Sequence, residues 1–241
     1  MQCRILRGLA VAAGLALGFG FAQAQAQTNL YVGANAGVLI PEAITTHQSG
    51  TANGETVTLS GDYNFDAGFA TGLIVGYRFH PMFAIEGNFQ YGGAEFDNFS
   101  GTGTASGPVN ASGPINFSVK GHVNTYTMLV NGVFFPMGRA GWNGLSFYVG
   151  GGPGFSTWDA TIDSFSANGA TATLNESHSE TDFAADAIAG VDFALNAHAS
   201  IGLRYQFLWA SLSDMSSGNG IIGSNSDFFG HMITATGTWH F

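Results

Sequence analysis

Ser200-Ile201-Gly202-Leu203-Arg204-Tyr205-Gln206-Phe207-Leu208-Trp209 alternates two kinds of side chain: Ile201, Leu203, Tyr205, Phe207 and Trp209 at odd positions, Ser200, Gly202, Arg204 and Gln206 at even ones. A period of two is the mark of a β-strand with two different faces. Here one face is aromatic and aliphatic, and the other is small, polar or charged. The same plan recurs along the chain. Leu30, Val32, Ala34, Ala36, Val38 and Ile40 oppose Tyr31, Gly33, Asn35 and Gly37; Phe65, Ala67, Phe69, Leu73, Val75, Tyr77 and Phe79 oppose Asp66, Gly68, Gly72, Gly76 and Arg78. Phe83, Ile85, Phe89 and Tyr91 oppose Glu86, Asn88 and Gln90, and Tyr126, Met128, Val130 and Phe134 oppose Thr125, Thr127 and Asn131. A fifth strand centres on Leu145 to Phe155, a sixth on Phe183 to Phe193, the quoted stretch is the seventh, and Ile233 to Phe241 is the eighth.

Charge sorts with this parity. Asp66, Arg78, Glu86, Asp182, Asp186, Asp192 and Arg204 all fall on the polar face, and Glu95, near a strand end, falls on the apolar one. A charge pointing into lipid costs roughly 2–4 kcal/mol at the bilayer midplane for Arg or Lys, so such sorting is what a membrane-spanning sheet requires. A soluble β-sandwich would instead carry Lys and Glu on its outside. Only 9% of residues are charged, with 36 Gly and 21 Phe. No stretch beyond the first residues has the roughly 18 consecutive apolar residues of a membrane helix. A closed sheet is the remaining way to satisfy every backbone group in lipid. The expected fold is all-β: an eight-stranded antiparallel up-and-down transmembrane β-barrel.

The first residues predict export. Arg4 and Arg7 precede an apolar run from Leu9 to Phe21, then Ala22-Gln23-Ala24-Gln25-Ala26, the layout of a signal peptide over residues 1–26 with cleavage after Ala24 or Ala26. Residues 27–241 form the barrel domain. Cys3 lies ahead of the apolar run, so neither a disulfide nor a lipid anchor is expected in the mature chain. Of the six Lys+Arg, two leave with the signal, so four face sixteen Asp+Glu, a formal charge of −12. That charge, with no basic patch, argues against nucleic acid as a partner.

Connections alternate in length. His80-Pro81, Pro136 to Gly144 and Asn196-Ala197-His198 are short turns, expected at the periplasm. Long segments from Pro41, Asp97, Trp158 and Ser211 are expected to face outward. Asn53-Gly54 and Asn168-Gly169 read as hairpin tips that extend strands above the membrane, and Ser100 to Pro114 as a mobile Gly/Ser/Thr/Asn loop. Tyr91, Trp142, Trp158, Trp209 and Trp239 read as interfacial girdle aromatics.

The eight-strand plan, the Gly-rich stretch Tyr148 to Gly154 and the run Leu203 to Phe207 resemble the small outer-membrane β-barrel families, the opacity-type surface proteins and the membrane domain of outer membrane protein A. The terminal Trp239 and Phe241 resemble the signal read by the barrel-assembly machinery. The resemblance implies a bacterial outer-membrane location among lipid and lipopolysaccharide, with loops available to a host or surface ligand. The chain ends at Phe241, so the periplasmic wall-binding domain of outer membrane protein A is expected to be absent.

Inside so narrow a barrel the side chains should form a polar plug. Across their turns Arg78 and Glu86, and Asp192 and Arg204, come into diagonal reach, which predicts two lumen ion pairs, structural or gating. Asp66 and Asp186 are lumen acids without an evident basic partner. The sequence therefore supports a structural and surface-exposed role through the loops, with a narrow gated cation-preferring pore as the alternative. A lipid-modifying enzyme is the third reading. His198-Ala199-Ser200 resembles the His-x-Ser of outer-membrane deacylases, but Ile201 stands where Asn should follow and the pair falls at a periplasmic turn. His122, His178 and His231 lie toward the outer side, each without a Ser and an acid at a spacing that implies a relay, so no catalytic residue is assigned. No metal or cofactor site is read either, because His and Asp are scattered without ligand spacing.

Overall fold

The computed structural model describes residues 29–52, 55–106, 111–138, 144–167, 170–212 and 226–241. The expected signal peptide, both Asn-Gly tips, Trp142 and the segment 213–225 lie outside them. Ten strands follow one another: β1 Leu30–Pro41, β2 Ile44–Ala52, β3 Glu55–Phe65, β4 Gly68–His80, β5 Phe83–Ser106, β6 Ala111–Phe134, β7 Leu145–Ala167, β8 Ala170–Ala194, β9 Ala199–Leu212 and β10 Ser226–His240. β1 and β2 are one wall strand interrupted at Glu42 and Ala43, and β3 and β4 are another interrupted at Asp66 and Ala67. The wall therefore has the eight strands expected, all antiparallel. It closes where β1 pairs β10, from Tyr31↔His240 to Pro41↔Gly230.

The alternation works as anticipated. Met128 is 65% exposed and Val130 60%, while Leu129 between them is 2% exposed. The first two face outward and the third inward. Outward rings form rows near the strand ends. Phe69, Tyr91 and Tyr126 succeed one another with centroids 5.4 and 5.0 Å apart at the end bearing the long connections. Trp239, stacked on His198 at 5.8 Å, sits at the end bearing the tight turns.

Those turns are built by local chemistry. Asn196 Oδ1 accepts from the N–H of His198 and of Ala199, both at 2.8 Å, which folds the β8–β9 link. Gly138 and Gly144, at φ 69° and 83°, border the β6–β7 link in the left-handed region that favours glycine.

At the other end the walls run on well past the barrel. β5 pairs β6 as far as Ala105↔Ala111, and β7 pairs β8 as far as Ala167↔Ala170. Ser100 to Pro114, expected as a mobile loop, is thus mostly paired strand. Hydrophobic alternation could not reveal it, because a sheet standing in water needs no apolar face. Backbone ladders and cross-strand Thr and Ser pairs suffice.

The interior also departs from expectation. It is not a polar plug throughout, but a polar belt between two apolar layers. Tyr31, Ile74, Ala84, Val133, Phe135, Tyr148 and Ile188 cluster toward the turn end. Leu39, Trp158, Leu208, Phe228 and Met232 belong to the larger cluster toward the loop end. Trp158, expected in the girdle, is 1% exposed and packs edge-on against Phe228 with centroids 4.0 Å apart. Phe65, expected on the lipid face, packs against Phe96 inside. Where a lumen is too narrow for a water column, apolar side chains fill it at least cost.

Candidate functional site

The inward face of the wall carries the chemistry. Glu86 on β5 and Arg204 on β9 meet across the lumen, Arg204 Nη1 donating to Glu86 Oε2 at 2.9 Å. Their side chains are 5% and 1% exposed. Glu86 Oε1 accepts from the Tyr31 hydroxyl at 2.8 Å. Tyr148 offers its ring to the Arg204 guanidinium from 5.8 Å. Both tyrosines need a glycine opposite. Tyr31 pairs with Gly76 and Tyr148 with Gly190. In each case the ring lies where a β-carbon on the glycine would stand.

All four expected lumen charges, Arg78, Glu86, Asp192 and Arg204, come together around one cavity, where Arg204 pairs with Glu86 across the lumen. Arg78 donates to the Pro81 carbonyl at 3.1 Å and covers the Phe135 ring at 3.8 Å. Asp192 accepts from Thr236 at 3.5 Å. A cavity of about 20 Å³ lies among Tyr31, Arg78, Glu86, Asp192, Arg204 and Thr236, room for one water. Inward side chains aim at the barrel axis, so the nearest opposite charge can be across the lumen rather than along the same hairpin. That is why Glu86 finds a partner 118 residues away.

Above this layer lies the polar belt. Gln90 donates to Gln206 at 3.0 Å, and Gln206 to Asp186 at 2.7 Å. Asp186 also accepts from Asn131 at 3.0 Å and from the Gly152 N–H at 3.1 Å. Asp186 lies in the lumen, and its hydrogen-bond partners are amides, with the Arg204 charge acting on it as well. Asp66 is not in the lumen. It lies exposed in the break between β3 and β4, its N–H bonded to the Glu95 carbonyl at 2.9 Å.

The larger apolar layer lies toward the loop end of the lumen. Leu39, Trp158, Leu208, Phe228 and Met232 are each at most 2% exposed. Sequence parity assigned the inward face to polar residues and passed over these. The signal was present in runs of three apolar residues, Val38-Leu39-Ile40, Leu73-Ile74-Val75, Met128-Leu129-Val130 and Phe207-Leu208-Trp209, whose middle members point in.

The matched family agrees with this architecture: the outer membrane protein beta-barrel domain, over residues 10–241. The chain belongs to the outer membrane protein beta-barrel family. No curated protein matches its sequence. Among solved structures it is similar to neisserial surface protein A, at 13% identity over 89% of this chain and 98% of that one, with a TM-score of 0.47. It is also similar to OprG of Pseudomonas aeruginosa, at 15% identity over 91% and 100%, TM-score 0.44. A third is Ail, the attachment invasion locus protein of Yersinia pestis, at 14% identity over 87% and 99%, TM-score 0.39. The protein is located in the bacterial outer membrane, where short turns face the periplasm and long connections the outside.

Within this family barrel, the rim histidines are placed as follows. At the periplasmic turn Ser200 Oγ lies 3.3 Å from His240 Nε2, and His198 Nδ1 lies 3.1 Å from the His240 carbonyl. Toward the outer side His231 does have an acid beside it: Nε2 meets Glu42 Oε1 at 2.9 Å and Nδ1 meets the Tyr205 hydroxyl at 2.7 Å. Glu42 is 189 residues from His231, too far for sequence spacing to reveal. The terminal Phe241 N–H reaches back to the Leu30 carbonyl at 3.1 Å, fastening the last strand to the first.

Proposed function

We propose that this outer-membrane barrel is a closed, non-catalytic support that holds a β-sheet above the cell surface for contact with a host or surface ligand. The observation that carries this reading is the continuation of β5 to β8 beyond the barrel, over a lumen that is filled. From Glu95 to Ser106, β5 alone adds about 30–40 Å of extended chain before any tilt is counted. Lipid and lipopolysaccharide are the surroundings proposed for the outer face, and Trp239 and Phe241 the contact proposed for assembly machinery.

The pore reading has the lumen acids Glu86, Asp186 and Asp192 in its favour, but each has a hydrogen-bond donor and the apolar layer stands between them and the outside. To test the surface role, residues 96–121 and 160–181 are each replaced by a short turn, and insertion is checked by protease protection of the barrel. Cells carrying the trimmed protein are expected to lose whatever adherence the full protein confers. Adherence that survives trimming would remove the proposal.

A further inference from the structure

Arg204 is 1% exposed and gives Nη1 to Glu86, while its Nε and Nη2 have no hydrogen-bond partner among the described residues. A guanidinium carries five N–H donors and no acceptor, so both groups need an oxygen. Buried donors left dry cost a sizeable part of the margin by which a domain stays folded. Arg204 lines the cavity among the lumen charges, and so does Asp192. Asp192 lies across β9, its Oδ1 where a β-carbon on Gly202 would stand, and the bond it accepts from Thr236 is long, at 3.5 Å. A carboxylate with one long bond keeps acceptor sites to spare.

Size and charge select what fills this space. One water needs about 10–15 Å³, and a cavity of about 20 Å³ has no room for a hydrated ion or an organic molecule. A bare anion would accept from Arg204 but lie against the carboxylates of Glu86 and Asp192, and a bare cation would lie against Arg78 and Arg204. Water accepts on one side and donates on the other. The belt above makes the same demand. Asn35 on β1 and Asn88 on β5 are each 3% exposed, and the nitrogen and oxygen of both amides have no hydrogen-bond partner among the described residues. An enclosed amide needs a donor and an acceptor together, and water supplies both.

We infer that the lumen holds bound water at two levels: a single molecule that bridges Arg204 to Asp192 in the cavity, and water on the Asn35 and Asn88 amides in the belt. The partnership of Asp192 with Arg204 read from the sequence thus exists through a water. This goes beyond the surface role and does not depend on it. The test uses the mature protein refolded in nanodiscs of deuterated zwitterionic lipid. Magnetisation is transferred selectively from water to the side-chain N–H protons, in the laboratory and the rotating frame, so that the sign separates bound water from proton exchange. Direct transfer is expected at Arg204 Nε–H and at the side-chain amides of Asn35 and Asn88. In Asp192→Leu, which sets an apolar group against the cavity, the Arg204 signal is expected to disappear and the two amide signals to remain. Silence at Arg204 or at either amide in the native protein, transfer with the sign of proton exchange alone, or an Arg204 signal that survives Asp192→Leu would each overturn the inference. The native measurement needs no variant, so it decides the matter even if Asp192→Leu does not fold.

Discussion

Replacing Glu86 by Ala leaves the Arg204 guanidinium, 1% exposed, without its counter-charge in a narrow lumen. Breaking a buried pair from one side costs about 3–5 kcal/mol, and the Tyr31 hydroxyl loses its acceptor as well. Replacing Arg204 by Met in the same chain removes the stranded charge and fills much of its volume, so the double variant should recover a large part of the loss. The coupling between the two sites is expected to be about 2–3 kcal/mol. The same cycle run on Glu86 and Arg78 should give a smaller coupling, since Arg78 lies over Phe135 and bonds to the Pro81 carbonyl. Urea unfolding in lipid vesicles, followed by tryptophan fluorescence and run in both directions, measures all the free energies needed. If Glu86 couples to Arg78 as strongly as to Arg204, the across-lumen pairing is wrong and the hairpin pairing read from the sequence is right.

Three further outcomes follow from the layered lumen. In planar bilayers the native protein is expected to be silent, whereas Trp158→Ala/Phe228→Ala/Leu208→Ala, which empties the outer apolar layer, should show discrete openings; native conductance would remove the closed-lumen reading. In single-tryptophan variants, acyl-brominated lipid should quench Trp239, 49% exposed, and leave Trp158, 1% exposed, almost unaffected. Equal quenching of the two would return Trp158 to the girdle. Gly190→Val should displace the Tyr148 ring and lower stability by about 1–3 kcal/mol in the same urea assay, the range for overpacking. Tyr148→Ala added to it should recover part of that loss, and additive losses would mean that the ring does not depend on the glycine.

How much of this was legible in the sequence depended on whether a constraint is local. Lipid imposes its demand one residue at a time. Leu203, Tyr205 and Phe207 had to be apolar wherever the rest of the chain went, so the outward face and the strand count could be read directly. Asp66 was misplaced because parity was carried through a strand break at 66–67 that no periodic pattern announces. Ser100 to Pro114 was missed for the complementary reason. Water makes no demand on either face, and the strand there is held by pairing with a neighbour instead.

The lumen is the opposite case, and it explains why the candidate site was harder to read than the wall. A side chain that points at the axis is constrained by what arrives from the other walls, and those walls are distant in sequence. Glu86 needs Arg204, Gln90 needs Gln206, and the Tyr31 and Tyr148 rings need glycines at positions 76 and 190. None of these requirements marks a residue type on its own, so Leu39, Leu129 and Leu208 can share an inward face with Asn35, Asn131 and Arg204. Such filling couples all eight walls into one packed unit, and a rigid base is what an extended sheet needs if it is to stand clear of the membrane. On the surface role proposed above, specificity for a partner would reside where neither lipid nor lumen dictates the sequence, in the strands above the outer aromatic row.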